Sequence, residues 1–243
     1  MARKKNKEEW KIHGNVFDQF TERHIHHLEN QGYFNNVSHT LTVGKEANIF
    51  LGKNEEGTTI AVKIYRLENC NFKKMHQYIA TDPRYPNIRP QKRDIVFAWV
   101  LREYRNLLVA RQAGCRVPTP LISRAHILIE EFIGADAVPA PQLKDAVFET
   151  KEEVRGCYEE VLAQMKLLYK EAKLVHGDLS EFNILYHDKK PVLIDFSQAT
   201  SVKDHHAREY LERDLKNIAR FFGKYGLDLD EKELLNEFPV IEE

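Results

Sequence analysis

The sequence predicts an α+β protein built as two lobes, a β-rich N-terminal lobe and a mainly helical C-terminal lobe. Three observations carry this. Strand-like patterning is concentrated between Thr40 and Tyr65 and returns at Ala125–Phe132. Helical spacing dominates after Thr150, and the prolines Pro139 and Pro141 mark a connector between the two regimes. With 243 residues, the chain is long enough for two small lobes sharing a cleft.

From the N-terminus, residues 15–36 read as an amphipathic helix, with Val16, Phe17, Phe20 and Ile25 on its apolar side and Gly32 as its stop. Leu41–Val43 then leads through Gly44-Lys45-Glu46-Ala47-Asn48 into Ile49–Leu51, and Thr58–Tyr65 forms a third, β-branched strand carrying Lys63. Residues 67–95 are polar, contain Pro83, Pro86 and Pro90, and read as a mobile insert. A helix is expected from Asp94 to Ala113, ending at Gly114. Beyond the connector, Val154, Tyr158, Val161, Met165 and Leu168 recur at helical spacing, so 151–172 forms a long helix. Asn183–Tyr186 and Pro191–Ile194 make a small hairpin, and a last helix spans 206–223. The expected division is a helical extension at 1–36, an N-lobe at 37–135 with its insert at 67–95, and a C-lobe at 136–243.

The formal net charge is −1, with 42% hydrophobic and 30% charged residues, which excludes a disordered chain and any global attraction to nucleic acid or membrane. The basic run Arg3, Lys4, Lys5, Lys7 and Lys11 is the one obvious local patch and reads first as a solvated terminus. Cys70, Cys115 and Cys157 lie at no metal-ligand spacing and suggest reduced thiols in a cytoplasmic protein. No signal-peptide pattern opens the chain, and no apolar run suggests a membrane span.

The chemistry concentrates in Leu174–Thr200. Phosphoryl transfer needs a carboxylate to orient or deprotonate the acceptor, oxygen ligands for Mg²⁺ and cations along the phosphates. Asp178, with Asn183 five residues later, has the spacing of a protein-kinase catalytic loop, and Asp195 stands at the end of an apolar run where a second metal-binding carboxylate belongs. Asn183 and Asp195 are therefore candidate metal ligands, Asp178 and Asp195 candidate catalytic groups, and the implied cofactors are ATP with Mg²⁺, Mn²⁺ being an alternative. Lys63 matches the strand lysine that neutralises phosphates, and Glu103 on the following helix is its candidate partner. The phosphate loop retains only Gly44 of a glycine-rich pattern; Lys45 adds charge there and Asn48 a donor. The fold expected on these residues is kinase-like.

Taken together, Gly44–Asn48, Ala61–Tyr65, Glu103–Leu107, Glu131-Phe132-Ile133-Gly134, Leu174–Asn183 and Ile194-Asp195-Phe196-Ser197-Gln198 resemble the RIO family of atypical serine/threonine protein kinases. The subgroup resembled is the archaeal type with the Gly-Lys-Glu-Ala-Asn loop; the residues ahead of Gly44 leave too little room for the winged helix of the second subgroup. The resemblance implies that Gly44, Lys45, Glu46, Ala47 and Asn48 cover the ATP phosphates, that Lys63 and Glu103 anchor them, and that Glu131 and Ile133 offer backbone groups to the adenine. It implies Asp178 as catalytic base and Asp195 as a residue able to become a phosphoaspartate. It also implies action on the small ribosomal subunit precursor, both protein and rRNA, with no DNA or membrane partner. Arg84, Arg89, Lys92 and Arg93 of the insert are candidates for contact with rRNA or ATP. No Ala-Pro-Glu follows Asp195, so the activation segment and peptide-docking platform are truncated. Glu130 departs from the pattern, occupying a place just before the hinge where relatives usually carry an apolar residue. Two other readings share the core motifs: a Bud-type or small-molecule kinase, and a nucleotide-switched assembly factor that acts by binding.

Overall fold

The computed structural model describes residues 18–240 apart from 69, 83, 86 and 87. The basic run at residues 3–11, Val16, Phe17, Pro83 and Pro86 lie outside the described residues.

Helix α1 (Gln19–Asn30) starts where the Asp18 side chain accepts from Thr21 N–H, and its chain reverses at Gly32. Strands β1 (Asn36–Val43), β2 (Ala47–Lys53), β3 (Thr59–Tyr65), β4 (Pro120–Arg124) and β5 (Ile127–Glu131) form one antiparallel sheet in the order β1-β2-β3-β5-β4. The expected strand at Ala125–Phe132 forms as β5 and pairs with β4, a further strand that begins at Pro120; Ala125, with φ 53°, lies in the turn between them.

Alternation along the sheet separates its two faces. Ile60, Val62 and Ile64 of β3, with Ile127 and Ile129 of β5, share a core with Ile25 and Leu28 of α1. The opposite face carries Ala61, paired in register with Glu130, Lys63, paired with Leu128, and Tyr65. Part of that face is closed by α3 (Lys92–Gln112), which buries Ile95, Val96 and Trp99 together with the polar Arg102, Glu103 and Asn106. The remainder opens into the cleft.

The insert is not irregular throughout. It contains α2 (Phe72–Ala80), capped by the Asn71 side chain, which buries Met75, Tyr78 and Ile79 in the main core. Their i, i+3, i+4 spacing is the local signal of a helix, set against the polar composition of the insert and the prolines that follow. Arg84 is also committed within the chain: it forks onto Asp82 at 2.6 and 2.9 Å and donates to Asn106 Oδ1 at 2.8 Å. Arg93 lies over the Phe20 ring and Lys92 over Phe72.

After the short hairpin β6 (Gly134–Ala135) and β7 (Val138–Pro139), α4 (Lys151–Lys170), α5 (Ala207–Gly223) and α6 (Glu231–Asn236) make the helical lobe. The small pairs β8 (Leu174–Val175) with β11 (Thr200–Ser201), and β9 (Ile184–His187) with β10 (Lys190–Leu193), hold the functional loops at the lobe junction. No helix among the described residues is long and apolar enough to cross a membrane.

His126, in the β4–β5 turn, is buried beneath α1 and shares a 2.9 Å hydrogen bond with Thr21 Oγ1. Burial brings its imidazole down to about 4; His24 and Arg93 add to this, and Asp18 opposes it. The unfolded chain therefore takes up a proton near pH 6.5 that the native chain refuses until about pH 4, so this group withdraws stability as pH falls through that window, by up to roughly 3 kcal/mol. Asp214, pushed up to about 7 by burial, acts in the opposite sense, so the loss is read as the difference between wild type and His126→Gln in urea unfolding across the window. Wild type should lose more stability than His126→Gln as pH falls, His176, which burial also brings to about 4, contributing equally to both.

Candidate functional site

The cleft is organised around Lys63. Its position on β3 faces away from the α1 core, and its ammonium donates to Glu103 Oε1 at 2.8 Å and to Asp195 Oδ1 at 3.4 Å. Glu103 is buried on α3, and its second oxygen accepts from Tyr65 Oη. Burial opposes the charge on Lys63, but Asp195 and Glu103 overcome it and raise the ammonium well above its usual range. Burial likewise acts against ionised Asp195. There Lys63, a 2.7 Å hydrogen bond from Ser197 Oγ and His176 prevail and hold the carboxyl below its usual range. Asp195 adopts φ 63°, an uncommon conformation for a non-glycine residue, and one that places Oδ1 between its two donors.

Asp178 sits on the loop after β8. Its Oδ2 accepts from Gln198 Nε2 at 2.9 Å, and its backbone carbonyl accepts from Asn183 Nδ2 at 2.8 Å. Burial and the nearby Asp195 raise its carboxyl above the usual range. The bond from Asn183 Nδ2 fixes the amide and leaves Oδ1 as an oxygen ligand. With the Asp195 carboxylate, phosphate oxygens and water, this donor set suits Mg²⁺, which takes few protein oxygens and retains water. The described residues contain no cluster of three or more His, Cys, Asp or Glu side chains able to hold a metal by themselves.

The loop is fixed from below by α5. Asp214 accepts from the Gly177 and Leu179 N–H groups at 2.8 Å each, Asn217 donates to the Leu179 carbonyl at 3.0 Å, and Arg213 donates to the Gly177 carbonyl. Gly177 has φ 79°, and a Cβ there would lie 3.0 Å from the Gln198 carbonyl, so glycine is required for the two loops to meet. Residues 199–206 then lead directly into α5 through β11, which is the truncated segment expected from the sequence.

At the phosphate loop, Gly44 N–H donates to the Ala47 carbonyl at 3.0 Å, and a Cβ on Gly44 would lie 2.7 Å from that oxygen. The loop brings Glu46 near Asp195 and Asp178: burial first, then Asp195, raises its carboxyl. Lys45 is exposed. Asn48, expected as a donor, uses its Oδ1 to accept from Arg66 Nη2 at 3.0 Å. At the hinge, the Glu131 side chain turns away to Thr119, whose N–H and Oγ1 it binds at 3.0 and 2.6 Å. The Ile133 carbonyl accepts from Ala140 N–H at 3.0 Å, while its own N–H finds no acceptor among the described residues.

The RIO domain family matches residues 48–234. The Rio1 RIO-type serine/threonine-protein kinase of Haloferax volcanii is 38% identical over 228 residues, covering 94% of this chain and 77% of that protein. The chain belongs to the RIO family of atypical protein kinases. The Methanocaldococcus jannaschii Rio1 kinase is 37% identical, covering 93% of this chain and 77% of that protein, and the Caenorhabditis elegans RIO1 kinase is 35% identical, with 87% of this chain and 42% of that protein covered. The Chaetomium thermophilum Rio2 kinase, solved as an ADP/Mg²⁺-phosphoaspartate complex, superimposes with a TM-score of 0.66 over 87% of this chain and 64% of that one; at 22% identity this shows the shared kinase-like fold.

Within this RIO kinase the structure brings Lys63, Glu103, Asp178, Asn183 and Asp195 together, and it gives contacts to groups for which the sequence motifs assign no role. Ser197 and Gln198 orient the two aspartates, and Asp214 holds the loop. Asn106, buried on α3, donates to the Phe196 and Ala199 carbonyls at 3.0 and 2.7 Å and so carries the Asp82–Arg84 pair of the insert to the Asp195 segment. Replacing Asn106 by Leu leaves the Ala199 carbonyl without a donor, at a cost of about 1–3 kcal/mol, while the Phe196 carbonyl keeps the 3.2 Å bond from Ala199 N–H. Equilibrium urea unfolding should show this destabilisation; a change below about 0.5 kcal/mol, the size of a surface substitution, would contradict the bracing role.

Proposed function

We propose that this RIO kinase transfers the γ-phosphoryl group of ATP in the cleft between its lobes, to a serine or threonine hydroxyl or, through Asp195, to water. The observation that carries this reading is the pairing of one buried ammonium, Lys63, with both Glu103 and Asp195, beside an Asp178 carboxylate held by Gln198. Such a cluster presents a fixed cation for phosphates, an ionised carboxylate for a metal or a phosphoryl group, and a second carboxylate for the acceptor.

In the proposed assignment, the adenine is bound by backbone groups of Glu131 and Ile133, and the phosphates lie under Gly44–Asn48 against Lys63. Mg²⁺, where bound, neutralises phosphate charge and would be held by Asn183 and Asp195. For a protein acceptor, Asp178 takes the hydroxyl proton as the oxygen attacks the γ-phosphorus and the bond to ADP breaks. For hydrolysis, the Asp195 carboxylate attacks the γ-phosphorus, ADP leaves, and water then cleaves the acyl phosphate to regenerate Asp195 and release phosphate. The Chaetomium Rio2 complex, described as containing a phosphoaspartate, supports the second route by analogy. Family resemblance extends the proposal to maturation of the small ribosomal subunit in the cytoplasm, with the precursor's protein and rRNA as partners.

Purified protein with ATP and Mg²⁺ should release phosphate and, on rapid acid quench, yield a hydroxylamine-sensitive phosphoprotein. Asp195→Ala should abolish both, whereas full activity in that variant would refute the mechanism. Gln198→Ala should slow turnover about tenfold to a hundredfold through misplacement of Asp178, with little change in nucleotide affinity.

A further inference from the structure

Glu130 occupies a place in the cleft that the proposed chemistry does not use. The register sets it opposite Ala61 on β3, and Leu128, its neighbour on the same face of β5, opposite Lys63. Its side chain therefore leaves the sheet on the cleft side, two residues or about 7 Å along the strand from the Lys63 position. It immediately precedes Glu131 and lies three residues before the unpaired Ile133 N–H. It is half-buried, and its carboxyl makes no hydrogen bond or ion pair with a described residue.

Charge around it is unbalanced. Lys63 donates to Glu103 on α3 and to Asp195 after β10, so the ammonium is already shared by two carboxylates. On β4 the facing residue is Pro120, which brings no charge, and on its own strand Glu131 adds a further negative one. Burial, then Glu103, pushes the Glu130 carboxyl up to about 8; Asp195 and Glu131 reinforce this, and Lys63 opposes it. Near neutral pH, Glu130 is thus a carboxylic acid, with one O–H donor and one carbonyl acceptor on the cleft side of the sheet.

That pair of groups has a natural complement. Adenine carries an amino group, a donor, beside N7, an acceptor, whereas a 6-oxo purine offers acceptors at both places. We propose that Glu130 reads the purine, its carbonyl accepting from the 6-amino group and its O–H donating to N7, so that the cleft selects 6-amino over 6-oxo nucleotides. A carboxylate would oppose N7, and an apolar side chain would be indifferent to both edges. This inference rests on the nucleotide-binding reading above and assigns Glu130 as a specificity-determining residue within it.

The test is calorimetric titration of the full chain with ADP and with inosine diphosphate in EDTA, so that no metal contributes. Wild type should prefer ADP, and Glu130→Gln, whose amide offers the same donor and acceptor, should keep the preference. Glu130→Met should reduce the affinity ratio by about fivefold or more, the lower end of what a bidentate contact to a base supplies. The wild-type ratio should also fall between about pH 6.5 and about pH 8.5, below the pH at which the inosine base is mostly ionised, as the O–H is lost, while that of Glu130→Gln stays nearly flat. If Glu130→Met does not fold, as judged by its melting transition, this pH comparison decides. A ratio unchanged by Glu130→Met, or a flat wild-type pH profile, overturns the inference while nucleotide binding stands. Failure of wild type to bind either nucleotide overturns both.

Discussion

The shared ammonium of Lys63 is the constraint on which the cleft depends. A buried cation needs partners, and here they come from two other parts of the chain, Glu103 on α3 and Asp195 after β10. Three elements far apart in sequence are thereby brought to one point, and their charges account for the shifts around it. Asp195, half-buried, stays ionised because Lys63 and Ser197 both donate to it. Asp178 and Glu46 are raised by burial and then by Asp195, against the weaker pull of Lys74 on both. A doubly charged cation at Asn183 and Asp195 would reverse that excess of negative charge, the electrostatic reason for such a site to take one.

Rigidity around this centre comes from polar groups on helices. Asp214, Asn217 and Arg213 of α5 bind successive backbone groups of the Asp178 loop, and Asn106 of α3 binds those after Asp195. Both strands of the active centre are therefore held by their main chain, leaving the side chains of Asp178, Asn183 and Asp195 to face the cleft. Arg84 of the insert donates to Asn106, which in turn donates to the Phe196 and Ala199 carbonyls. This couples the insert to the Asp195 segment by hydrogen bonds and not by charge alone.

Much of this was legible in the sequence, for identifiable reasons. The β-branched run at Thr58–Tyr65 and the helical spacing of Val154–Leu168 are local patterns, and both elements form as read. The spacing of Asp178, Asn183 and Asp195 carries the site because a loop, a hairpin and a turn leave few ways to arrange them. What was missed depends on the fold. Helix α2 was hidden by the polar residues around it and the three prolines that follow it, although Met75, Tyr78 and Ile79 share one face. Asp214 and Asn106 look like members of solvated helix faces until packing buries them. The direction of Glu130 could be settled only by strand register, since one residue of slip would turn it to the α1 side.

The central claim, that Lys63, Asn183 and Asp195 form one phosphate-and-metal site, is tested most directly by a crystal structure of the chain with a non-hydrolysable ATP analogue and Mg²⁺. The account predicts phosphate oxygens against the Lys63 ammonium, with the Lys63–Glu103 pair intact, and Mg²⁺ coordinated by Asn183 Oδ1 and the Asp195 carboxylate. A nucleotide bound elsewhere, or Mg²⁺ held by neither residue, would contradict it.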